Sequence, residues 1–568
     1  MKIDKSRQQI IDEYGHILVQ GGPGSGKTTI ALEKVVRQDV VLGENQKVLF
    51  LSFSKSAVKQ IADKAKEVFK DIEKSHLVIQ TYHSFCWDVL KSHFYLLSRS
   101  ERLQIMPPHI EIILKNTFDG DDWNKHLEDQ FHAHGQIVYD LFAPKVLELF
   151  SRSKCLLSIY SKTFPLIIVD EFQDSDKAQW EIVKLFSDHS QIMCLADPEQ
   201  RIYEWRKGVS IKRIEEVIDY LKPKPFDFGF QNHRSPGGGI LGFANTLLHN
   251  SSELSYPDDG SLKLVQYQVK HMVEFIKLTL YSLIKKMPDG DDWSIAILVR
   301  TNQMVRSISN GLDATQTFKR QTLEPFSHSV LIDENAVVLS GRVIAYLLQP
   351  QKGECKEDII KIIELYIDIF NSKLTKQNAA MALRLTKAIS KLKEGKESTI
   401  KLVKEIKRIR RIVLAETYLS GDPFVDWLQV RKELETSENT DVIRIAKTAR
   451  QMRYLRRGTQ ITDSLTDDWR TNGCYLNALS DFESAVFQAQ ISDGFTPHSG
   501  VVVMNIHKSK GKEFDGVILV DGQYGDSLVA YDKSPFIKSK RLVRVGLTRA
   551  KTVARILVCR QYPCELFK

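Results

Sequence analysis

The sequence has few cysteines, no long apolar run and no low-complexity tract, and these absences exclude several classes of protein. Its seven cysteines form no CxxC pair and lack His/Cys ligand spacing, which argues against a disulfide scaffold or a structural zinc site. No apolar run approaches the roughly 18 residues of a membrane-spanning helix, and residues 1–9 lack the apolar segment of a secretory signal. By elimination, we expect a cytoplasmic protein with reduced thiols and no membrane partner.

The composition is that of a globular chain with several domains. Its 568 residues are 42% hydrophobic and 27% charged. At roughly 150 residues per domain, this length predicts about three to four domains. The formal net charge of +9 permits a polyanionic partner without establishing one.

Short apolar segments alternate with helical patterns in two parts of the chain. Each segment is followed by turn residues and then by apolar residues at helical spacing, which is typical of a parallel sheet wrapped by helices. A fold of class α/β is therefore predicted. The predicted strands are residues 17–19, 48–52, 166–169, 192–195, 294–300, 500–505, 516–520 and 555–558.

Two stretches interrupt these α/β parts. Residues 356–478 are rich in Lys, Arg, Leu, Ile and Ala at helical spacing, with few strand signals. Residues 87–158 form a smaller helical stretch. Both are predicted to be helical insertions; their basic runs suit either a solvated helix face or a phosphate contact.

Residues 21–28 (GGPGSGKT) fit the phosphate-binding pattern GxxxxGK[ST] between an apolar strand and a helical pattern. Glycines let backbone N–H groups turn toward a phosphate, and the following helix adds its positive end. Lys27 would reach the β- and γ-phosphates of ATP, and Thr28 would bind Mg²⁺. The predicted nucleotide-binding residues here are Gly22, Pro23, Gly24, Ser25, Gly26, Lys27, Thr28 and Thr29.

A second candidate element, which is acidic, follows the predicted strand 166–169. Adjacent carboxylates at a strand end are what a Mg²⁺–ATP hydrolase requires. Asp170 would hold the metal, and Glu171 would orient and deprotonate the attacking water. Alone, such a strand end is more often a solvated loop, but the preceding phosphate loop favours the catalytic interpretation.

These two elements and six others resemble, in order, the motifs of superfamily 1 helicases of the UvrD/Rep/PcrA type. The resemblance covers both α/β parts of the chain. The six further segments are residues 51–57 (LSFSKSA), 80–85 (QTYHSF), 196–206 (ADPEQRIYEWR), 232–235 (NHRS), 505–514 (NIHKSKGKEF) and 545–550 (VGLTRA).

The resemblance implies two RecA-like parallel-sheet cores with helical insertions. The implied division has four parts: residues 1–86 and 159–250 as the first core with the phosphate loop, 87–158 as its insertion, 251–350 and 480–568 as the second core, and 351–479 as the insertion of that core.

The resemblance also implies roles at the nucleotide. Gln200 would sense the γ-phosphate and link it to the DNA track. Arg234 and Arg549 would act as arginine fingers on the phosphoryl group.

Three further positions would bind the rest of the nucleotide. Glu513 would contact the ribose, and His233 stands where the family often has a tyrosine that stacks on the base. Gln8 or Gln9 would contact adenine; the spacing leaves this choice open, and Gln8 is favoured.

Tyr203 and Trp205 are candidates for a track that binds single-stranded DNA. They lie beside basic residues, and base stacking contributes about 1–3 kcal/mol per base without sequence preference. By themselves such aromatics are more often core residues, but Trp205 resembles the family's base-separating tryptophan. Weaker candidates for the same track are Phe53, Thr81, His83, Arg300, Asn302 and His507.

The chain departs from the family pattern at Ala196, Lys512 and Arg544, where a glycine, a leucine and an aromatic residue are common. The two insertions are also shorter than in the large members of the family, so the resemblance leaves open whether this chain unwinds duplex DNA.

The resemblance implies a helicase that uses ATP and Mg²⁺ and moves 3′ to 5′ on single-stranded or tailed duplex DNA. Two alternatives are a DNA-stimulated ATPase with a partner nuclease, as in phage-defence operons of the Gabija kind, and a non-motor P-loop kinase, against which the paired cores argue.

Overall fold

The computed structural model describes residues 4–39, 42–69, 76–202, 208–229, 239–249, 254–287, 290, 293–331, 334–351, 354–373, 375–415, 418–450, 452, 460–492 and 499–567. The chain divides into two compact units. The first unit comprises Met1–Leu97, Asp140–Ile332 and Phe495–Lys568, and the second comprises Ser98–Tyr139 and Asp333–Gly494.

The strands, numbered along the chain, are β1 Ile17–Gln20, β2 Val48–Ser52, β3 Leu77–Thr81, β4 Gln104–Ile105, β5 Gln136–Ile137, β6 Leu166–Val169, β7 Gln191–Ala196, β8 Lys224–Asp227, β9 Leu262–Tyr267, β10 Ser294–Val299, β11 Gln316–Phe318, β12 Gln321–Leu323, β13 His328–Leu331, β14 Gly500–Asn505, β15 Phe514–Val520 and β16 Ala550–Cys559.

The helices are α1 Lys5–Asp12, α2 Lys27–Asp39, α3 Lys55–Val68, α4 Tyr82–His93, α5 Pro108–Thr117, α6 Trp123–His134, α7 Phe142–Arg152, α8 Lys154–Thr163, α9 Lys177–Ser187, α10 Arg213–Leu221, α11 Gly239–His249, α12 Met272–Ile284, α13 Asn302–Asp313, α14 Glu334–Leu348, α15 Cys355–Asn371, α16 Lys376–Lys393, α17 Lys401–Val413, α18 Pro423–Glu435, α19 Thr440–Ala449, α20 Gln460–Asn472, α21 Ala478–Ser492, α22 Ile506–Ser509 and α23 Ile537–Leu547.

The first sheet has the strand order β3-β2-β6-β7-β1-β8, and every pair of neighbours is parallel. Its central strands, such as β2 and β6, are continuous apolar runs because helices cover both faces of a parallel sheet. The loops after β1, β6 and β7 therefore emerge side by side at one edge. Ligands bind at this edge in open α/β sheets.

The second sheet has the order β13-β14-β10-β15-β16-β9 and is also parallel throughout. Its core is built from buried aliphatic side chains of β10, β14 and β15 packed against α11 and α23. The expectation of an α/β fold with two parallel sheets is confirmed. Both sheets belong to the first compact unit.

The second unit is mainly helical. In α17 the residues Leu402, Ile406, Ile409 and Val413 are buried at helical spacing, as an amphipathic helix requires. Arg410 belongs to a basic run for which a solvated helix face and a phosphate contact were both predicted, but it is buried and forms a bidentate pair with Asp358, with N–O distances of 2.6 and 2.9 Å. Within the described part of the chain, no helix is both long and apolar enough to cross a membrane.

Candidate nucleotide site

The glycine-rich loop lies between β1 and α2, as the sequence predicted. Gly24 and Gly26 have φ of 76° and 92°, a backbone conformation that favours glycine. The Nζ of Lys27 donates to the carbonyl oxygens of Gly21 at 2.5 Å and Gly22 at 3.1 Å. The ammonium group thus lies over the loop that is expected to surround a phosphate.

Three hydroxyl side chains lie in this loop and in the first turn of α2. The Oγ of Ser25 is buried and has no hydrogen-bond partner among the described residues. Thr28 and Thr29 occupy the first turn of α2 and are partly buried. A buried hydroxyl without a partner is costly, so the donor set suits a ligand rich in oxygen.

The carboxylates of Asp170 and Glu171 follow β6 at the same sheet edge. The backbone N–H of Asp170 donates to Leu51 O at 2.8 Å, which continues the pairing with β2. Burial, then the neighbouring Glu171, raises the pKa of Asp170 to about 7, against the opposing effect of Lys27. A bound cation would relieve this repulsion.

Glu171 has φ of 51°, in the left-handed region, which is uncommon for a residue with a side chain. Its Oε2 accepts from Gln173 Nε2 at 2.6 Å. Burial by itself would raise the pKa of Glu171, but the cations Lys510, Lys27 and Arg549 outweigh it and keep that pKa lowered. The side chain is held in its charged form, as a general base requires.

Lys510 is a site residue to which the sequence reasoning gave no role. It is only 6% exposed, and its Nζ lies 3.4 Å from Glu171 Oε2, contacts the Asp174 carboxylate and donates to Gln200 O at 2.7 Å. A sequence signal for Lys510 was present, because this residue lies in the segment 505–514 that resembles a family motif. The motif does not reveal that the lysine is buried among carboxylates.

The structure brings together Gln200 and Arg549, to which the resemblance assigns the roles of sensor and arginine finger. Gln200 Nε2 donates to Asp197 Oδ2 at 2.8 Å, and Gln200 Oε1 accepts from Arg549 Nη2 at 3.2 Å. Arg549 Nε also donates to Val545 O at 3.0 Å, which fixes the guanidinium. A cation from the second sheet therefore contacts the loop after β7 of the first sheet.

The remaining nucleotide candidates are placed less centrally or fall outside the described residues. Gln8 is exposed on α1, and its amide donates to Asp12 Oδ2 at 2.8 Å. Glu513 is partly buried just before β15. His233 and Arg234 lie outside the described residues.

Two nucleic-acid candidates of the first sheet lie at the start of α4. Thr81 caps this helix, with its Oγ1 accepting from Ser84 N at 3.0 Å. The ring of His83 lies 6.2 Å from that of Phe142. Phe53 is partly buried just after β2. Phe53 follows the end of β2 and His83 that of the neighbouring strand β3, and Thr81 is the last residue of β3.

Candidates of the second sheet also lie close together. Arg300 follows β10 and donates to Leu528 O at 2.9 Å and Ala530 O at 2.6 Å. His507 lies in α22, after the adjacent strand β14; burial, and then the charge of Arg300, lowers its pKa. Tyr203 and Trp205 lie outside the described residues.

A divalent metal has few protein ligands here. Among the described residues, no group of three or more His, Cys, Asp or Glu side chains could hold an ion. Thr28 and Asp170 supply the hydroxyl and carboxylate oxygens that Mg²⁺ prefers, and Mg²⁺ commonly takes its other ligands from substrate phosphates and water. The residues present therefore fit a magnesium ion that arrives with a nucleotide.

Family models match both parts of the chain. The UvrD/REP helicase N-terminal domain matches residues 3–129 and 119–219, and the UvrD-like helicase C-terminal domain matches residues 319–561. Both matched regions include residues of the first compact unit, the sheet-bearing unit, which holds both six-stranded sheets.

Relatives named as helicases span nearly the whole chain. ATP-dependent DNA helicases PcrA from Leuconostoc citreum and Staphylococcus epidermidis are 22% and 23% identical, covering 96% and 95% of this chain and 80% and 81% of theirs. DNA helicase II of Haemophilus influenzae is 25% identical over 44% of this chain and 40% of its own. The crystal structure of Pif1 helicase from Candida albicans aligns with a TM-score of 0.29 at 13% identity, covering 56% of each chain.

Proposed function

Because this chain belongs to the UvrD/REP helicase family, we propose that it hydrolyses ATP to move 3′ to 5′ along single-stranded DNA. The observation that carries the proposal is the contact of Arg549 and Lys510, from the second sheet, with Gln200 and Glu171 of the first sheet. A site whose groups come from two sheets can couple hydrolysis to movement of one core against the other.

The hydrolytic step follows from the chain's own residues. Lys27 binds the β- and γ-phosphates, and Glu171 takes a proton from the attacking water as its oxygen bonds to the γ-phosphorus. The bond to the β–γ bridging oxygen breaks, and ADP and phosphate leave. Thr28 and Asp170 would hold Mg²⁺, which when bound neutralises phosphate charge.

Arg549 acts on the charge that develops during this step. Its guanidinium is buried at the loop after β7, where water does not screen it. Gln200 contacts both Arg549 and Asp197, so it can report the state of the phosphate to the neighbouring segment of the chain. Arg234 is proposed as a second finger.

The proposed DNA track combines Tyr203 and Trp205 with the polar residues at the ends of the strands. Thr81 and His83 would contribute from the first sheet, and Arg300 and His507 from the second. Trp205→Ala is expected to weaken stimulation of ATP hydrolysis by single-stranded DNA and to leave basal hydrolysis unchanged. Wild-type stimulation in this variant would place Trp205 in the core instead.

The four-part division of the chain given above is proposed on the same basis. Each sheet would then be one core, and residues 87–158 and 351–479 would be the helical insertions of the two cores. This division predicts that residues 87–158 and 351–479 can be altered with more effect on DNA contacts than on basal ATP hydrolysis.

ATP hydrolysis measured with no nucleic acid, single-stranded DNA, duplex DNA and RNA in parallel tests the proposal. We expect the largest stimulation by single-stranded DNA. Absence of hydrolysis under all four conditions would contradict it. Unwinding of 3′-tailed against 5′-tailed duplexes tests direction, and strong DNA-stimulated hydrolysis without unwinding would favour a subunit that works with a partner nuclease.

A further inference from the structure

Arg544 is a fully buried cation at the boundary between the two sheets. It lies on α23, five residues before Arg549, and its side chain is 0% exposed. Its Nε donates to Asn245 Oδ1 at 3.0 Å. The position is one of the three departures from the family pattern, since an aromatic residue is common there.

The guanidinium of Arg544 faces the acidic loop after β7. Nη2 lies 2.9 Å from Glu199 Oε2, and Nη1 lies 3.7 Å from Asp197 Oδ2. These distances define ion pairs, yet neither nitrogen makes a hydrogen bond of good geometry to any residue that the structure describes. The charge of the buried Arg544 guanidinium is thus compensated by two carboxylates, but the hydrogen-bonding capacity of its Nη1 and Nη2 is not satisfied.

The same guanidinium reaches the phosphate loop. A Cβ placed on Gly22 would lie 3.6 Å from Arg544 Nη2, and Lys27 Nζ lies 3.1 Å from Gly22 O. The side chains of Arg544 and Lys27 therefore both lie close to Gly22. Because the loop lysine contacts the β- and γ-phosphates in this motif, a second cation beside Gly22 lies close to where the terminal phosphate is expected.

We propose that Arg544 binds the terminal phosphate of ATP as an additional guanidinium, an inference that rests on the proposed function. Glu199 and Asp197 hold its charge while the phosphate is absent. Glu199 keeps a second partner when Arg544 turns away, because its Oε1 lies 2.6 Å from His249 Nε2. The planar, bidentate guanidinium suits a phosphate better than it suits two separate carboxylates.

A purely structural ion pair is the competing account of Arg544. In that account, removing either partner leaves the other charge buried and uncompensated, so both changes damage the site in the same direction. In the proposed role the two partners differ. Loss of Arg544 weakens binding of the terminal phosphate, whereas loss of the Glu199 charge frees Arg544 for it.

Equilibrium binding of a non-hydrolysable ATP analogue and of ADP, with Mg²⁺, separates these accounts. In Arg544→Met we expect the analogue to bind about tenfold or more weakly, the size of one charge-assisted hydrogen bond, with ADP changed by less than about threefold. In Glu199→Gln we expect unchanged or tighter analogue binding. Lys538→Met, an exposed cation on the same helix, serves as the control.

Equal weakening of both nucleotides in Arg544→Met, or the same loss in Glu199→Gln, would overturn the inference. If Arg544→Met does not fold, Arg544→Lys keeps a cation at the site and should retain part of the preference for the analogue; loss of the whole preference in a folded Arg544→Lys protein that binds ADP normally also counts against it. Failure of the wild-type chain to bind the analogue would instead refute the proposed function.

Discussion

Nη2 of Arg549 donates to Oε1 of Gln200 across 3.2 Å, although Gln200 follows β7 of the first sheet and Arg549 precedes β16 of the second. The same Gln200 side chain donates through Nε2 to Asp197, so one amide joins a cation and a carboxylate. A change in the position of either core must alter this arrangement. Under the proposed function, this contact would link ATP hydrolysis to movement of one core against the other.

Replacing Arg549 with Ala is expected to lower the kcat of DNA-stimulated ATP hydrolysis by about 10³-fold, the range of an arginine finger. The KM for ATP should change much less, because the charge that Arg549 stabilises develops in the transition state. Steady-state hydrolysis assays check this result. Arg560→Ala, an exposed arginine just beyond β16, is the matched control, and similar rates in the two variants would remove Arg549 from the site.

Replacing Glu171 with Gln removes the base while retaining the shape of the side chain. Hydrolysis should fall by about 10²-fold or more, whereas nucleotide binding should persist. Rapid-quench and equilibrium binding measurements distinguish these effects. Glu67→Gln, on the exposed side of α3, should behave as wild type; normal turnover in Glu171→Gln would assign the base elsewhere.

Replacing Lys510 with Met leaves the buried carboxylate of Asp174 without its cation. We expect a loss of about 3–5 kcal/mol in the free energy of unfolding of the sheet-bearing unit, as for other broken buried ion pairs. Denaturant titration measures it. The double variant Lys510→Met/Asp174→Asn should recover part of the loss, and a double variant no more stable than the single one would show that the pair is not the cause.

His109 predicts a pH dependence of stability in the second unit. Burial, and then the nearby Arg342, lowers its pKa from 6.5 to about 4. Between pH 4 and pH 6.5 the unfolded chain binds more protons than the folded chain. The contribution of His109 to the free energy of unfolding is therefore fully present above about pH 6.5 and falls as the pH drops toward 4. The expected contribution is about 3 kcal/mol.

Denaturant unfolding at several pH values between 4 and 7 checks this dependence. His109→Leu should flatten it, whereas His134→Gln, an exposed histidine at the end of α6, should not. An unchanged slope in His109→Leu would mean that other groups control acid sensitivity.

The central strands could be predicted from the sequence because burial on both faces leaves a continuous apolar run. Strands β2 and β6 have the predicted bounds. The edge strands β3 and β8 were not predicted, since they are partly exposed and β8 contains polar residues and a proline.

The catalytic motifs were predictable for the same local reason, as the phosphate loop and the acidic strand end each occupy a few consecutive residues. The partners of those motifs were not. Lys510 contacts Asp174 from 336 residues away, and Arg410 is buried on Asp358 although it lies in a basic run. Such pairings depend on three-dimensional packing, which spacing along the chain does not encode.

The strand order of the second sheet has a consequence for biosynthesis. β10 lies between β14 and β15, so it cannot pair in the sheet until those later strands have been synthesised. Ser294 N, for example, donates to Asp515 Oδ2, which is 221 residues further along the chain. At about 5–20 residues per second, a ribosome needs on the order of 10–40 s to supply it. During that interval β10 lacks the strands that flank it in the sheet, and since unpaired apolar strands favour aggregation, we expect synthesis of this chain to depend on chaperones.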